Sequence, residues 1–279
     1  MSPPTQGRKI AVIGLGGQVG TPTVKGLLAQ GIHTITAVQR LESTSTFPHE
    51  VVVKTGDLND ESFLVIAFQG QDAVVLMPPI PHIISVQEPA VRAAAKAGVP
   101  YVLPSEFGPD PFASRLIEEN ELLQNKKRIR DLIEELGATI WTGATGKVNA
   151  SSVAHSGYAT AAVLSLPEED LSRYRNKAFY VPSCHLTQKE LLEAVQKETG
   201  TTESDWEVKH QEIKDALKDC NAKIQQGDGV APFAKFFLTH FQEGNGGDFQ
   251  HKVVVDDVEK LHKIGLRDET IESVLRSCL

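Results

Sequence analysis

Four glycines, Gly14, Gly16, Gly17 and Gly20, are the residues of this chain best suited to seat an anion. Glycine allows a tight turn and a close approach of backbone N–H groups to phosphate, and a helix opening just afterwards adds partial positive charge. A strict G-x-G-x-x-G is absent, because Val19 stands where its third glycine would fall, and the spacing is Gly14-x-x-Gly17-x-x-Gly20. With Gln18 and Val19 completing it, such a turn suits the diphosphate of a dinucleotide when a strand precedes it and a helix follows. The end of the next strand selects the dinucleotide. An NAD site places a carboxylate there for the ribose 2′-hydroxyl, whereas this chain has Gln39-Arg40 and no carboxylate before Glu42. A guanidinium grips a 2′-phosphate through two parallel hydrogen bonds, so the expected ligand is NADP(H). The competing arrangement is a solvated Arg40, with Glu42 turned back to an NAD ribose. Further on, Asp57 and Leu58 end a β-branched run, where the carboxylate either accepts from an adenine amino group or caps a helix.

These residues need a βαβ frame, and the pattern around them supplies one. Residues 10–13 form a short apolar run, residues 24–28 carry helical spacing, and residues 34–38 are β-rich. Strands are expected again at 51–53, 72–77, 101–103 and 139–142, with helices at 84–97 and 115–136 between the later ones. Gly98 suits the end of the first of these helices. The second should bury Leu122, Leu123, Ile129, Leu132 and Ile133 and turn the cationic run Lys126-Lys127-Arg128 to solvent. Alternating strands and helices specify an α/β fold, a doubly wound parallel sheet of Rossmann type, binding ligands at the carboxyl ends of its strands.

Beyond Gly146 the character changes to a smaller, mostly helical region. The expected division is a dinucleotide-binding domain over residues 1–150 and a substrate region over 151–279, interleaved with the first. A helix is expected over 152–164, a strand over 177–181, and a capping box at Thr187 and Glu190 opens another helix to residue 197. Phe233, Phe236, Phe237 and Phe241 fall at helical spacing and are expected on one buried face, as core or as a pocket wall.

Composition narrows the function classes. With 279 residues, 41% hydrophobic and 23% charged, the chain is an ordinary globule. A net charge of −8 with no dominant basic cluster argues against nucleic-acid binding. Cys184, Cys220 and Cys278 are odd in number and lack metal-ligand spacing, so free thiols in a reducing compartment are expected, and no metal. No apolar run reaches bilayer length, which excludes a membrane span and leaves a cytoplasmic protein as the expectation.

Three segments together carry a resemblance: the glycine turn, the loop Leu103-Pro104-Ser105-Glu106-Phe107-Gly108, and Lys126-x-x-Ile129-Arg130-x-x-Ile133-Glu134. With Gln87 and the Ala93–Val99 stretch, the chain resembles the NmrA-like, isoflavone-reductase-like branch of atypical short-chain dehydrogenases. The resemblance implies NADPH-dependent reduction of a small aromatic or heterocyclic metabolite in specialised metabolism. It also implies that Lys126 is the catalytic general acid/base and that Ser105 and Phe107 shape the nicotinamide pocket. In that role its cationic neighbours Lys127, Arg128 and Arg130 would repel its proton; read from charge patterning alone, Lys126 would be a solvated lysine on a basic helix face. No Tyr-x-x-x-Lys pair occurs, in agreement with that branch. One departure stands out: residues 142–152 pass almost directly to the next helix, leaving a short cover over the substrate side. That departure keeps open a redox-neutral isomerase or cyclase, or a non-catalytic NADP(H) sensor. A monomer or homodimer is expected.

Overall fold

The computed structural model describes residues 5–135, 139–144, 148–205, 213–242 and 244–278. Chain order begins β1 (Lys9–Ile13), α1 (Gly20–Gln30), β2 (Thr34–Gln39), β3 (Val51–Thr55), α2 (Glu61–Phe68), β4 (Ala73–Leu76) and α3 (Ile83–Lys96). It continues β5 (Tyr101–Leu103), α4 (Ser114–Glu119), α5 (Glu121–Glu135), β6 (Thr139–Ala144), β7 (Asn149–Ala150), α6 (Val153–Leu164) and α7 (Glu168–Leu171). The remainder is β8 (Lys177–Tyr180), β9 (Cys184–His185), α8 (Gln188–Thr199), α9 (Ile213–Gln225), α10 (Ala231–His240), α11 (Val255–Lys263) and α12 (Ile271–Cys278).

Seven strands form one sheet in the order β3-β2-β1-β4-β5-β6-β8, and every pairing in it is parallel. The expected doubly wound α/β fold is therefore present, and β8 brings residues from beyond position 150 into the same sheet. Strand order reverses between β1 and β4, which opens a crevice at their carboxyl ends.

Alternation of side chains along each strand builds two cores. Ile10, Val12, Ile35 and Val75 face α1 and α6, whereas Ala11, Ile13, Val74 and Val102 face α2, α3 and Ile129 of α5. Large side chains such as Leu27, Phe68 and Leu76 are fully buried, each worth roughly 1.5–3 kcal/mol of transfer free energy.

Several expectations need correction. The helix expected over 115–136 is two helices, because Asn120 adopts an extended backbone (φ −130°, ψ 111°) between α4 and α5. Its buried side chain amide donates to the Leu116 carbonyl (2.8 Å) and to Thr239 Oγ1 (3.1 Å), so tertiary bonds replace helix continuation. The aromatic stripe of α10 is not a core: Phe233 and Phe237 are exposed and Phe236 packs at the edge of a small cluster around Leu116 and Leu123. A two-stranded antiparallel ribbon, β7 with β9, has no counterpart in the sequence reading. Gly146, the expected point of change, lies outside the described residues, as do the side chains of Leu132, Ile133 and Cys278. The capping box of α8 is present, with the Thr187 and Glu190 side chains each bonded to the other's backbone N–H.

Candidate functional site

The glycine turn lies at the switch point of the sheet. Gly14 follows β1 with φ +84°, and a methyl group there would sit 2.1 Å from the Met77 carbonyl at the end of β4. Gly20 opens α1, and its missing Cβ would lie 2.3 Å from the Gly14 carbonyl. These two glycines therefore make the turn and seat the helix on it. Gly16, Gly17 and Gln18 are exposed, while Val19 is half-buried against the core. A Cβ on Gly16 would meet Ser45 Oγ at 2.6 Å, so the loop after β2 folds back over the turn. Val19 caps α1 with no side-chain hydrogen bond, and no acidic residue occupies the first turn. The uncapped helix start and the exposed residues Gly16, Gly17 and Gln18 thus meet at one place, of the kind a diphosphate needs.

Arg40 sits beside this turn. β2 pairs with β1 so that Val38 lies opposite Ile13, which places Arg40 just past the strand end adjoining the glycines. Its side chain is exposed and forms no ion pair among the described residues. Gln39 is held instead, donating to Thr55 Oγ1 and accepting from Ser43 Oγ at 2.9 Å. Glu42 is exposed as well, so the acidic side chain is not locked toward the turn. Asp57 follows β3, exposed, accepting from the backbone and side-chain amides of Asn59 at 2.8 and 3.0 Å. It does not cap α2; Asp60 does, accepting from the Ser62 amide at 2.9 Å. Leu58 is half-buried against the core on the α2 side.

The loop after β5 forms the other wall. Ser105 donates its backbone N–H to Gln87 Oε1 at 2.8 Å, and Gln87, 1% exposed, is fixed by a bond from its amide to the Ile83 carbonyl. Phe107 is half-buried against the core on the α1 side, and Glu106 is buried. Lys126 rises from α5 toward this loop and is 8% exposed, with Nζ 3.6 Å from where a methyl group on Gly108 would lie. This corrects the expectation of a solvated lysine. Lys127 and Arg128 do point outward, and each is paired, with Asp131 at 2.6 Å and Glu88 at 2.7 Å. The expected field of like charges around Lys126 is thereby answered by carboxylates on the solvent side.

Three residues of this region escaped the sequence reading. Asp110, 2% exposed, accepts from the Tyr180 hydroxyl (2.8 Å), the Phe112 amide (3.0 Å) and Lys252 Nζ (2.5 Å). Burial, then the Asp110 charge and hydrogen bond, push the Tyr180 hydroxyl far above its ordinary value, so it remains a donor. A separate cleft of about 310 Å³ lies between β9 and α11, lined in part by Cys184, His185, Val258 and His262. Burial raises the Cys184 thiol above its usual range, which keeps it protonated. Among the described residues no cluster suited to a metal ion occurs, and no helix is long and apolar enough to cross a membrane.

Comparison with known proteins agrees with this geometry. Over 305 aligned positions the chain is 26% identical to the oxidoreductase aprR of Aspergillus flavus, with 96% of this chain and 99% of that one covered. AtPrR2, solved with NADP+ and (+)-pinoresinol, shares the fold at a TM-score of 0.78 and 23% identity, covering 98% of this chain and 99% of that chain. An isoflavone reductase matches at a TM-score of 0.72 and 20% identity, covering 97% and 99%. The NmrA-like family model matches residues 6–156, the stretch holding the glycine turn, Arg40 and Lys126, and the chain belongs to the NmrA-like family.

Proposed function

We propose that the chain is an NADPH-dependent reductase of a small aromatic or conjugated heterocyclic metabolite, with Lys126 as its general acid/base. Support for NADP(H) oxidoreductase chemistry comes from one relative that is an oxidoreductase by name and from a structural neighbour solved with NADP+. The residues present fit the cofactor. A glycine surface that side chains would fill, an uncapped helix N-terminus and an exposed guanidinium beside it match a diphosphate and a ribose phosphate in kind. Gly14, Gly16, Gly17, Gln18, Val19 and Gly20 would hold the diphosphate, Arg40 the 2′-phosphate, and Asp57 and Leu58 the adenine. Ser105, Phe107 and Lys126 would border the nicotinamide. When bound, NADPH supplies a hydride from C4 of its nicotinamide.

The observation that carries this reading is the burial of Lys126 against the loop after β5, on the ligand side of the sheet. An ammonium costs free energy to bury, and a chain needing only helix surface would leave it in water, as it leaves Lys127. Placed there, Lys126 donates a proton to an oxygen that gains charge as hydride arrives, or withdraws one from a phenol. The pinoresinol held by AtPrR2 motivates the aromatic substrate class. A sensor that turns nothing over is the second reading, favoured by the short passage from β6 at Ala144 to β7 at Asn149. Single-turnover assays with NADPH deuterated at C4 and a panel of lignans, isoflavones and quinones separate the two. Deuterium in the product is expected; NADPH that binds tightly yet never loses its label to any member of the panel would favour the sensor.

A further inference from the structure

We propose that Asp110, Tyr180 and Lys252 act together as a positioning device for Lys126, by pinning the far end of the loop against which that lysine is packed. The inference rests on the reading of Lys126 as the proton-transfer residue. The stretch from Ser105 to Asp110 is strung between two buried anchors. At its start Gln87 receives the Ser105 amide at 2.8 Å. At its end the Asp110 carboxylate is held by the Tyr180 hydroxyl and by Lys252 Nζ. Gly108, beside Lys126 Nζ, lies between those anchors.

The second anchor is assembled from distant parts of the chain. Tyr180 ends β8, 70 residues from Asp110, and Lys252 lies 142 residues from it in the short 3-10 turn Gln250–Lys252. That turn is itself fastened: Phe249 packs on the Tyr180 ring with centroids 4.9 Å apart, and Gln250 Oε1 accepts from the Asn149 amide of β7 at 2.8 Å. Lys252 also stands over the Tyr180 ring, 5.9 Å from its centroid. The C-terminal region therefore holds the loop beside the candidate catalytic lysine through a buried carboxylate. Loosening that carboxylate frees the loop at Gly108 and changes how Lys126 is presented, without touching the glycine turn.

Chemical reactivity of Lys126 tests this without knowledge of the substrate. Folded protein, with and without NADPH, is acetylated by the N-hydroxysuccinimide ester of acetic acid. Labelling at Lys126 is read by peptide mass spectrometry against the exposed Lys127 as internal control. Asp110→Asn and Lys252→Met should raise the Lys126-to-Lys127 labelling ratio about fivefold, Tyr180→Phe about twofold, and Lys252→Arg should return it to near wild type. An unchanged ratio in Asp110→Asn and Lys252→Met, both melting as wild type does, overturns the proposal. Should those two fail to fold, the milder Tyr180→Phe decides, since it removes a single hydrogen bond; an unchanged ratio there overturns it equally. Protection of Lys126 by NADPH in the wild type reports on the underlying assignment separately. Without that protection the catalytic reading of Lys126 fails, while the ratios still show whether the loop is pinned.

Discussion

The amino ends of the strands and the glycine turn treat their polar groups in opposite ways. At the amino ends of the strands, side chains close on one another. Arg8, 4% exposed, donates to the Leu164 and Leu166 carbonyls at 2.7 Å and pairs with Glu168, which also receives the Tyr101 hydroxyl. Burial and that hydrogen bond raise the Tyr101 hydroxyl to about 12. At the carboxyl ends, Gly16, Gly17, Gln18, Arg40, Glu42 and Asp57 are exposed, and the start of α1 has no side-chain cap. The polar groups around Arg8 are bonded to one another, and that network contributes stability. The glycine turn instead leaves the start of α1 without a side-chain cap, which suits an anionic ligand. The contrast separates what holds the protein together from what it binds.

If that division is right, damage at one end should spare the property assigned to the other. The largest effect is expected for Lys126→Met, which should lower single-turnover reduction by about a thousandfold while leaving the NADPH dissociation constant within about twofold. Equal loss of both would make Lys126 a cofactor-binding residue only. Next comes Arg8→Met at the amino end. It strips two buried carbonyls and Glu168 of their donor, and should destabilise the fold by about 3 kcal/mol in urea titrations. NADPH affinity of the folded variant should stay unchanged. If it fell tenfold, the two ends would be coupled and the division wrong.

How far the sequence reveals this depends on the range of the interaction. The parallel sheet follows from runs such as residues 10–13 and 34–38 and from glycines at a strand-to-helix turn, all local signals. Arg40 could be placed because a strand end is local too. Charge patterning alone misplaces Lys126 for a recoverable reason: it lies three residues from both Leu123 and Ile129, each buried, so it shares their helix face. Gln87, between Ile83 and Ala90 on α3, carries the same mark of a polar residue in an apolar stripe. Asp110, Tyr180 and Lys252 carry no such mark, since a contact spanning 142 residues leaves no period. The phenylalanines of α10 show the opposite limit: helical spacing puts residues on one face but does not say what covers it.

Arg40→Ala sharpens the comparison from the carboxyl end. The preference for NADPH over NADH, measured by titration calorimetry with each nucleotide, should fall about tenfold, with little change in NADH affinity. Thermal stability should hardly move, because the exposed guanidinium forms no ion pair among the described residues. A preference left intact would mean that the 2′-phosphate, if recognised, is held elsewhere.

The pH dependence of stability has its sign fixed by two buried histidines. Burial lowers both His33 and His240 from 6.5 to about 4; for His33 the Arg8 charge adds to burial. Because the folded state resists a proton that the unfolded chain accepts below its ordinary value, their stabilisation is complete above 6.5. It is lost progressively as pH falls from there toward 4. His240 is 8% exposed, stacked on Phe236, with Nδ1 buried and without a hydrogen-bond partner among the described residues. It should account for about 2 kcal/mol of the loss between pH 7.5 and pH 5. His240→Phe should remove that share, leaving a shallower pH profile in urea unfolding. His33 sits at the amino end, between the Arg8 amide and Ser165 Oγ, so His33→Gln should flatten the profile further and leave NADPH affinity at pH 7.5 untouched. A slope identical to wild type in His240→Phe would show that the ring takes its proton without unfolding, and that α10 opens readily enough to admit water.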